Sequence, residues 1–410
     1  MKPSKRTATR IFIIAAVLAL GALPLAAQIA VTGETVYTMA GDPIQNGVVL
    51  INNGKVEQVG PASAVSIPDG YRALSAKVVT PGLIDAHTVV GLAGYLNQKN
   101  DQDELERSNA IQPELRAIDA YNPRERLVGY LRGLGITTIH TGHGPGAIIS
   151  GQTMITKTTG RTVEEDVIVP TAMVAATLGA GARGANNKSP GSRAKAVAML
   201  RAELIKAQEY AHKRDHAKEG KEPPRNLRSE VLVRVLKGDL PLLVTVNRIQ
   251  DILTAMRVAQ EFHIKLVLDS AAEIYLELDK VKASGYPVII HPTQYRAYGD
   301  TENISFETAA KLKQAGILFA LQSGFESYVP KTRVVLFEAG EAAAHGLARR
   351  DALAAITIDA ARLLGIDNRV GSIEPGKDGD VALYDGDPLE LITHCTGVII
   401  DGAVVSNTPR

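Results

Sequence analysis

A single cysteine, Cys395, among 410 residues leaves no intrachain disulfide and no thiolate cluster for a zinc ion. Charge of one sign is also missing. There are 45 basic and 44 acidic side chains, and setting aside Lys2, Lys5, Arg6 and Arg10 leaves 41 against 44. The basic excess that nucleic-acid binding requires is therefore absent, and no nucleic-acid partner is expected. The apolar run near the N-terminus, residues 11–23, falls short of the roughly 20 residues that span a bilayer. Its basic start and the Pro24-Leu25-Ala26-Ala27-Gln28 that follows suit a signal peptide over residues 1–27, cleaved after Ala27. An uncleaved anchor is the alternative. No cysteine stands at the cleavage point to carry a lipid, so the expectation is an exported, periplasmic protein with no membrane span after cleavage. What remains, 45% hydrophobic and 22% charged, has the composition of a globular chain, long enough for one large domain and a small one.

Half of a metal-binding motif is missing as well. Thr80-Pro81-Gly82-Leu83-Ile84-Asp85-Ala86-His87-Thr88-Val89 reads as a strand running into a ligand loop. Such loops present two histidines two residues apart, so that both side chains leave an extended segment on one side. Here His87 occupies the first position and Val89 the second, and valine has no electron pair to donate.

The motif resembles the first strand region of the amidohydrolase superfamily. Gly135-Ile136-Thr137-Thr138-Ile139, with Gly144 to Gln152 after it, is similar to the second-strand region of the exported, imidazolonepropionase-like branch. Thr357 to Ile366 is similar to the last barrel helix, and Gly371 to Tyr384 to the return into a small β-domain. The resemblance runs through the chain from about residue 30 in the expected order. It implies an α/β fold: a (β/α)8 TIM-like barrel over residues 80–366, flanked by a β-sandwich composed of residues 28–79 and 367–410.

The residues support that plan independently. Val48 to Gly60 and Val398 to Val405 are β-branched runs folded about Asn53-Gly54 and Asp401-Gly402, both hairpin signals. Between them strands and helices alternate, the pattern of a parallel sheet with crossover helices. Strands are expected at 242–246, 264–268, 287–290 and 317–321. Helices are expected at 249–262, 274–284, 306–315 with Ser305 as N-cap, 331–345 and 351–364. Residues 186–228 form a helical insert whose long helix, 194–212, places Val197, Leu200, Leu204 and Ala207 on one face. The insert reads as a solvated flap, or as a lid controlling access.

A hydrolase on this scaffold needs a divalent metal that lowers the pKa of a bound water, held by three or more side chains with one position open. The resemblance sets those ligand positions, and most are replaced. The partner of His87 is Val89; the bridging lysine falls on Val174; two later histidines fall on Thr245 and Ser270; the proton-shuttling aspartate falls on Gly324. His87 alone is insufficient as a metal ligand, and zinc prefers imidazole, thiolate or carboxylate to hydroxyl.

Two readings stand. In one the chain is a non-catalytic homologue without a cofactor, binding a small ligand or forming a homo-oligomer or a hetero-oligomer with an active paralogue. In the other it is a hydrolase of dipeptide or non-peptide C–N bonds with a rebuilt site. His87, His140, His143 and His291, with Asp85 or Asp269, would then hold zinc or another divalent metal or supply a general base. His212 and His216, four apart among charged neighbours, read as surface residues. His263, His345 and His394 read as structural, and Gly144-Pro145-Gly146 as a loop with weak anion-nest character.

Overall fold

The computed structural model describes residues 28–96, 98–184, 189–325 and 334–410. The expected signal peptide over residues 1–27, residues 186–188 of the expected insert and residues 331–333 of an expected helix lie outside the described residues.

Segments from both ends of the chain share one seven-stranded sheet. Its order is Ala403–Ser406, Cys395–Ile400, Val381–Tyr384, Arg72–Pro81, Ile29–Val36, Ile44–Asn52, Lys55–Pro61. The termini meet where Val381–Tyr384 runs antiparallel to Arg72–Pro81, with Val381 opposite Pro81 and Tyr384 opposite Val78. Both predicted hairpins form. Asn53 and Gly54 have φ of 50° and 77°, Asp401 and Gly402 of 48° and 71°, the left-handed pairs that a two-residue turn needs. Hydrogen bonding makes one sheet where two stacked ones were expected. The sheet nevertheless bends over its own core, because the two turns converge: Gly379 N donates to Gly54 O at 2.8 Å and Gly402 N to Gly379 O at 3.2 Å. Strand alternation then puts Ile29, Val31, Val49, Ile51, Val381, Leu383 and Ile399 in the shared core. Ala30, Val48 and Leu50 pack on the other face under Val65. Each fully buried aliphatic side chain there is worth about 1.5–3 kcal/mol.

The α/β part contains two further sheets. One orders Phe319–Leu321, Val288–Ile290, Leu266–Ser270, Leu242–Val246, Val174–Thr177 and Ile149–Gln152. Its first five strands are mutually parallel. The other orders Leu83–Thr88, Ile136–Thr141, Met154–Lys157 and Val167–Val169. Ile149–Gln152 and Met154–Lys157 flank Thr153 in one extended run and pair antiparallel with their neighbours, a departure from simple alternation. At the opposite side the sheets meet through a bridge of Thr88 with Gly324, where Gly324 N donates to His87 O at 3.0 Å.

Alternation within these strands separates two layers. Leu243, Val267, Ile289, Ala320, Ile84 and Ala86 share a core plugged by Ala360, Ala361 and Leu364 of the helix Ile358–Leu364. Val244, Leu268, Val288 and Ile290 face the outer helices, among them Ile249–Phe262. The expected helix over 351–364 is two, Arg349–Ala355 and Ile358–Leu364, because Thr357 (φ −139°, ψ −100°) breaks it and bonds its hydroxyl to Leu353 O. The expected helix 274–284 is a short 3-10 turn, Ile274–Leu276, followed by Leu278–Ser284. Thr308–Ala315 begins later than expected, with Glu307 at the cap, while the Ser305 hydroxyl accepts from Glu307 N. The insert helix is longer than expected, Arg193–Asp215, capped by the Ser192 hydroxyl on Lys195 N. It buries Ala196, Leu200, Leu204 and Ala207 against Leu227–Leu236, and Val197 is only half-buried. No helix among the described residues is long and apolar enough to cross a membrane.

Candidate functional site

Register carries the polar side chains to one level. Thr177, Thr245 and Asp269 are paired across three neighbouring parallel strands, one step beyond the apolar layer of Leu243 and Val267. Above them lies a cavity of about 230 Å³ walled by His87, Val89, Thr245, Asn247, Asp269 and Gln322, with Tyr295, Asp300 and Phe325 farther out. That is small beside common ligand pockets of roughly 300–1,000 Å³.

At the floor, His87 and Asp269 form a dyad. His87 Nδ1 lies 3.0 Å from Asp269 Oδ1, which also accepts from Gln322 Nε2 at 2.9 Å. Thr245 Oγ donates to Asp269 Oδ2 at 2.5 Å. A carboxylate only accepts, so His87 carries its hydrogen on Nδ1, and the opposite nitrogen Nε2 is buried at the cavity without a protein partner. Burial disfavours the imidazolium. The charge and hydrogen bond of Asp269, helped by Asp85, outweigh burial and hold His87 above its ordinary value. Asp269 moves the other way: burial would raise it, but His87, Thr245 and Gln322 bring it below the usual carboxylate value. Behind the dyad Asp85 is fully buried and is pushed up to about 6, despite hydrogen bonds from Ser323 N at 3.0 Å and Ser323 Oγ at 2.5 Å.

The other histidines do not join His87 around a common point. His140 stands with its ring centroid 5.6 Å from that of His87, but Nδ1 bonds to Ala86 O and Nε2 to Thr153 Oγ1, both at 2.7 Å. Burial takes its pKa down to about 3. His291 bonds through Nδ1 to Pro292 O at 2.9 Å, and burial lowers it to about 4. His143 is buried beside Gly151, where any Cβ would fall 2.4 Å from its Cδ2. Neither of its ring nitrogens has a protein partner, and burial lowers it to about 4. Of these four imidazoles only His87 lines the cavity.

The positions where the resemblance sets ligands are placed as follows. Val89, Thr245, Ser270 and Gly324 line the cavity. Val174 does not: it pairs with Leu242, at the far end of its strand, about 10 Å from the level of Thr245. The residue of that strand facing the cavity is Thr177. Ser270 donates to Asn247 Oδ1 at 2.7 Å and holds a left-handed φ of 67°. Gly146 N is spent on Thr177 Oγ1 at 3.1 Å, which removes the nest from anion binding.

A divalent metal does not fit these side chains. The Asp269 oxygens already accept three hydrogen bonds, the Thr245 and Ser270 protons point to other acceptors, and His87 Nε2 is one donor where three are needed. Among the described residues no group of three His, Cys, Asp or Glu side chains is placed to hold a metal ion. Sequence reasoning missed Gln322 and Asn247, which orient Asp269 and Ser270. Their amides follow strands whose ligand positions were legible, and that adjacency was the available signal.

Comparison with known proteins agrees with this scaffold. A profile described as the amidohydrolase family matches residues 303–406. Imidazolonepropionase of Paracoccus denitrificans (strain Pd 1222) is 25% identical over 379 residues, 85% of this chain and 90% of its own. Amidohydrolase tasK of Hapsidospora irregularis is 23% identical over 92% of this chain, which spans only 42% of that longer protein. The crystal structure of an amidohydrolase from Thermotoga maritima MSB8 superposes with a TM-score of 0.87 at 28% identity, covering 92% of this chain and all of the other. With this agreement in order and shape, the chain belongs to the amidohydrolase superfamily and is imidazolonepropionase-like.

Proposed function

We propose that this chain is a ligand-binding homologue in which metal-dependent hydrolysis has been given up. The single observation that carries the reading is the state of the dyad: His87 spends Nδ1 on Asp269, and the neighbouring ligand positions are Val89, Thr245, Ser270 and Gly324. The cavity takes a small polar molecule that bonds to His87 Nε2 and packs against Val89, Tyr295 and Phe325. In this reading the two α/β sheets are arcs of a (β/α)8 barrel. The layered core and the bridge of Thr88 with Gly324 support that closure. Residues 28–79 and 367–410 are the composite domain, and residues 1–27 direct export to the periplasm. Partnership with a second copy or with an active paralogue belongs to the same proposal.

The test is metal content of the purified protein together with hydrolysis of dipeptides and cyclic amides after adding Zn²⁺ or Mn²⁺. No stoichiometric metal in the cavity and no metal-stimulated turnover are expected. Stoichiometric metal lost in His87→Ala would overturn the proposal.

A second reading is favoured by the partnerless Nε2 of His87 and by the hydrolase names of the relatives. With Asp269 orienting the ring and Nδ1 bearing the hydrogen, Nε2 can take a proton from a water placed in the cavity, which is general-base chemistry without metal. Turnover unaffected by a chelator but abolished in His87→Ala would select it.

A further inference from the structure

The long insert helix ends in a pair of imidazoles that the cavity does not use. His212 and His216 lie one turn apart at the end of Arg193–Asp215, both exposed. Their rings stack with centroids 4.2 Å apart and planes 21° from parallel. His216 Nδ1 lies 2.9 Å from the carbonyl oxygen of His212. A carbonyl only accepts, so Nδ1 holds the hydrogen of neutral His216 and Nε2 holds a free lone pair. A backbone carbonyl on the far nitrogen is the arrangement that commonly fixes a metal-ligating imidazole. The carbonyl end of a 23-residue helix adds partial negative charge.

We infer that His212 and His216 form a two-imidazole chelate for a divalent transition-metal ion such as zinc or nickel, completed by water, on the outer face of the insert. Zinc–nitrogen bonds of about 2.0–2.1 Å set the two nitrogens of a tetrahedral ion about 3.4 Å apart. As stacked, the two ring planes are too nearly parallel for their lone pairs to meet on one ion, so binding swings the exposed His212 ring out of the stack while His216 keeps its carbonyl bond. Imidazole suits zinc and nickel alike. Lys213, Arg214 and Lys218 oppose the ion's charge. Arg214 is partly neutralised by Asp215 at 3.1 Å and lies over the Tyr210 ring. The site stands on its own geometry and not on the reading of the cavity.

Calorimetric titration of the full chain with Ni²⁺ and Zn²⁺ at neutral pH tests it. One ion per chain is expected, with affinity falling at least about tenfold in His212→Ala and in His216→Ala, since losing a ligand costs no less than losing its supporting bond. Acidification should release the ion, because a protonated imidazole has no lone pair to give. Circular dichroism checks that these surface variants keep their helix. No uptake by the parent chain, or unchanged uptake in the double variant, overturns the chelate and leaves the cavity reading intact. Uptake lost only in His87→Ala overturns both.

Discussion

At residue scale, Gly324 occupies a position that a side chain enters only under strain. Its φ is 67°, and a Cβ there would sit 2.8 Å from Cγ of Pro292. Gly324→Asp should therefore lower stability by about 1–2 kcal/mol, from left-handed strain and the clash with the ring, without restoring a metal site. Denaturant midpoints with and without Zn²⁺ check this; a zinc-dependent gain larger than that of the parent chain would contradict it. Four of the cavity-lining positions were legible in the sequence because Val89, Thr245, Ser270 and Gly324 follow strand ends that the flanking residues define. Val174 lies away from the cavity, which the sequence did not reveal because the apolar run Ala172 to Ala176 carries no internal mark of register. Pairing with Leu242–Val246 decides which member faces the cavity.

At element scale, local chemistry explains the turns, and tertiary contacts explain the helix boundaries. Asn53-Gly54 and Asp401-Gly402 needed only their own φ preferences. The break at Thr357 was not visible, because no proline or glycine announces it; packing of Ala360 and Ala361 into the inner layer favours the bend. The insert is anchored to the scaffold where Arg193 Nε bonds both oxygens of Asp251, at 2.9 and 3.0 Å, with Asp300 3.5 Å from its Nη2. Arg193 is one-third exposed, so Arg193→Ala should cost about 1 kcal/mol or less globally. Local opening of the insert should nevertheless rise. Faster subtilisin cleavage near Lys218 to Pro224, with an almost unchanged melting temperature, is the expected result; equal cleavage rates would refute the anchoring role.

At the scale of the whole molecule, an ion cluster joins the terminal sheet to the α/β part. Lys157, 2% exposed, reaches Asp378 at 3.0 Å, Asp380 at 2.5 Å and Asp401 at 3.2 Å. Burial works against its charge, but Asp380, Asp401 and Asp378 together hold the ammonium above its ordinary value. Asp378 is shared with Lys55 at 2.6 Å and Arg369 at 2.9 Å. Lys157→Met should cost about 3–5 kcal/mol, since it strands buried carboxylates, and adding Asp380→Asn should recover part of it. Urea unfolding of the two variants measures both. A cost under 1 kcal/mol would mean that the cluster holds nothing together.

Acid should weaken the fold through its buried imidazoles. His140, His143 and His291 are held at about 3, 4 and 4 against an ordinary 6.5. The unfolded chain therefore takes up these three protons first as pH falls, and stability is lost from about pH 6.5 toward 4. Asp85 opposes one of them, because its folded value of about 6 exceeds the ordinary 3.8 and the native state gains that proton. Three imidazoles against one carboxyl leave the sign with the imidazoles, so these four groups together lower stability as pH falls from about 6 toward 4. Urea midpoints at pH 7 and pH 5 test the sign; a higher midpoint at pH 5 would reverse the argument.

The sequence by itself determined the α/β alternation, the two hairpins and which residue types stand at the strand ends where the resemblance sets ligands. Each depends on residues near one another in the chain, through periodicity, left-handed turn positions or strand-end motifs. Only the tertiary structure decided that His87 pairs with Asp269 while His140 and His291 bind their own surroundings, and that Lys157 meets carboxylates 221 to 244 residues away. Those outcomes follow from strand register and from which polar groups burial forces together, and neither is written in local sequence.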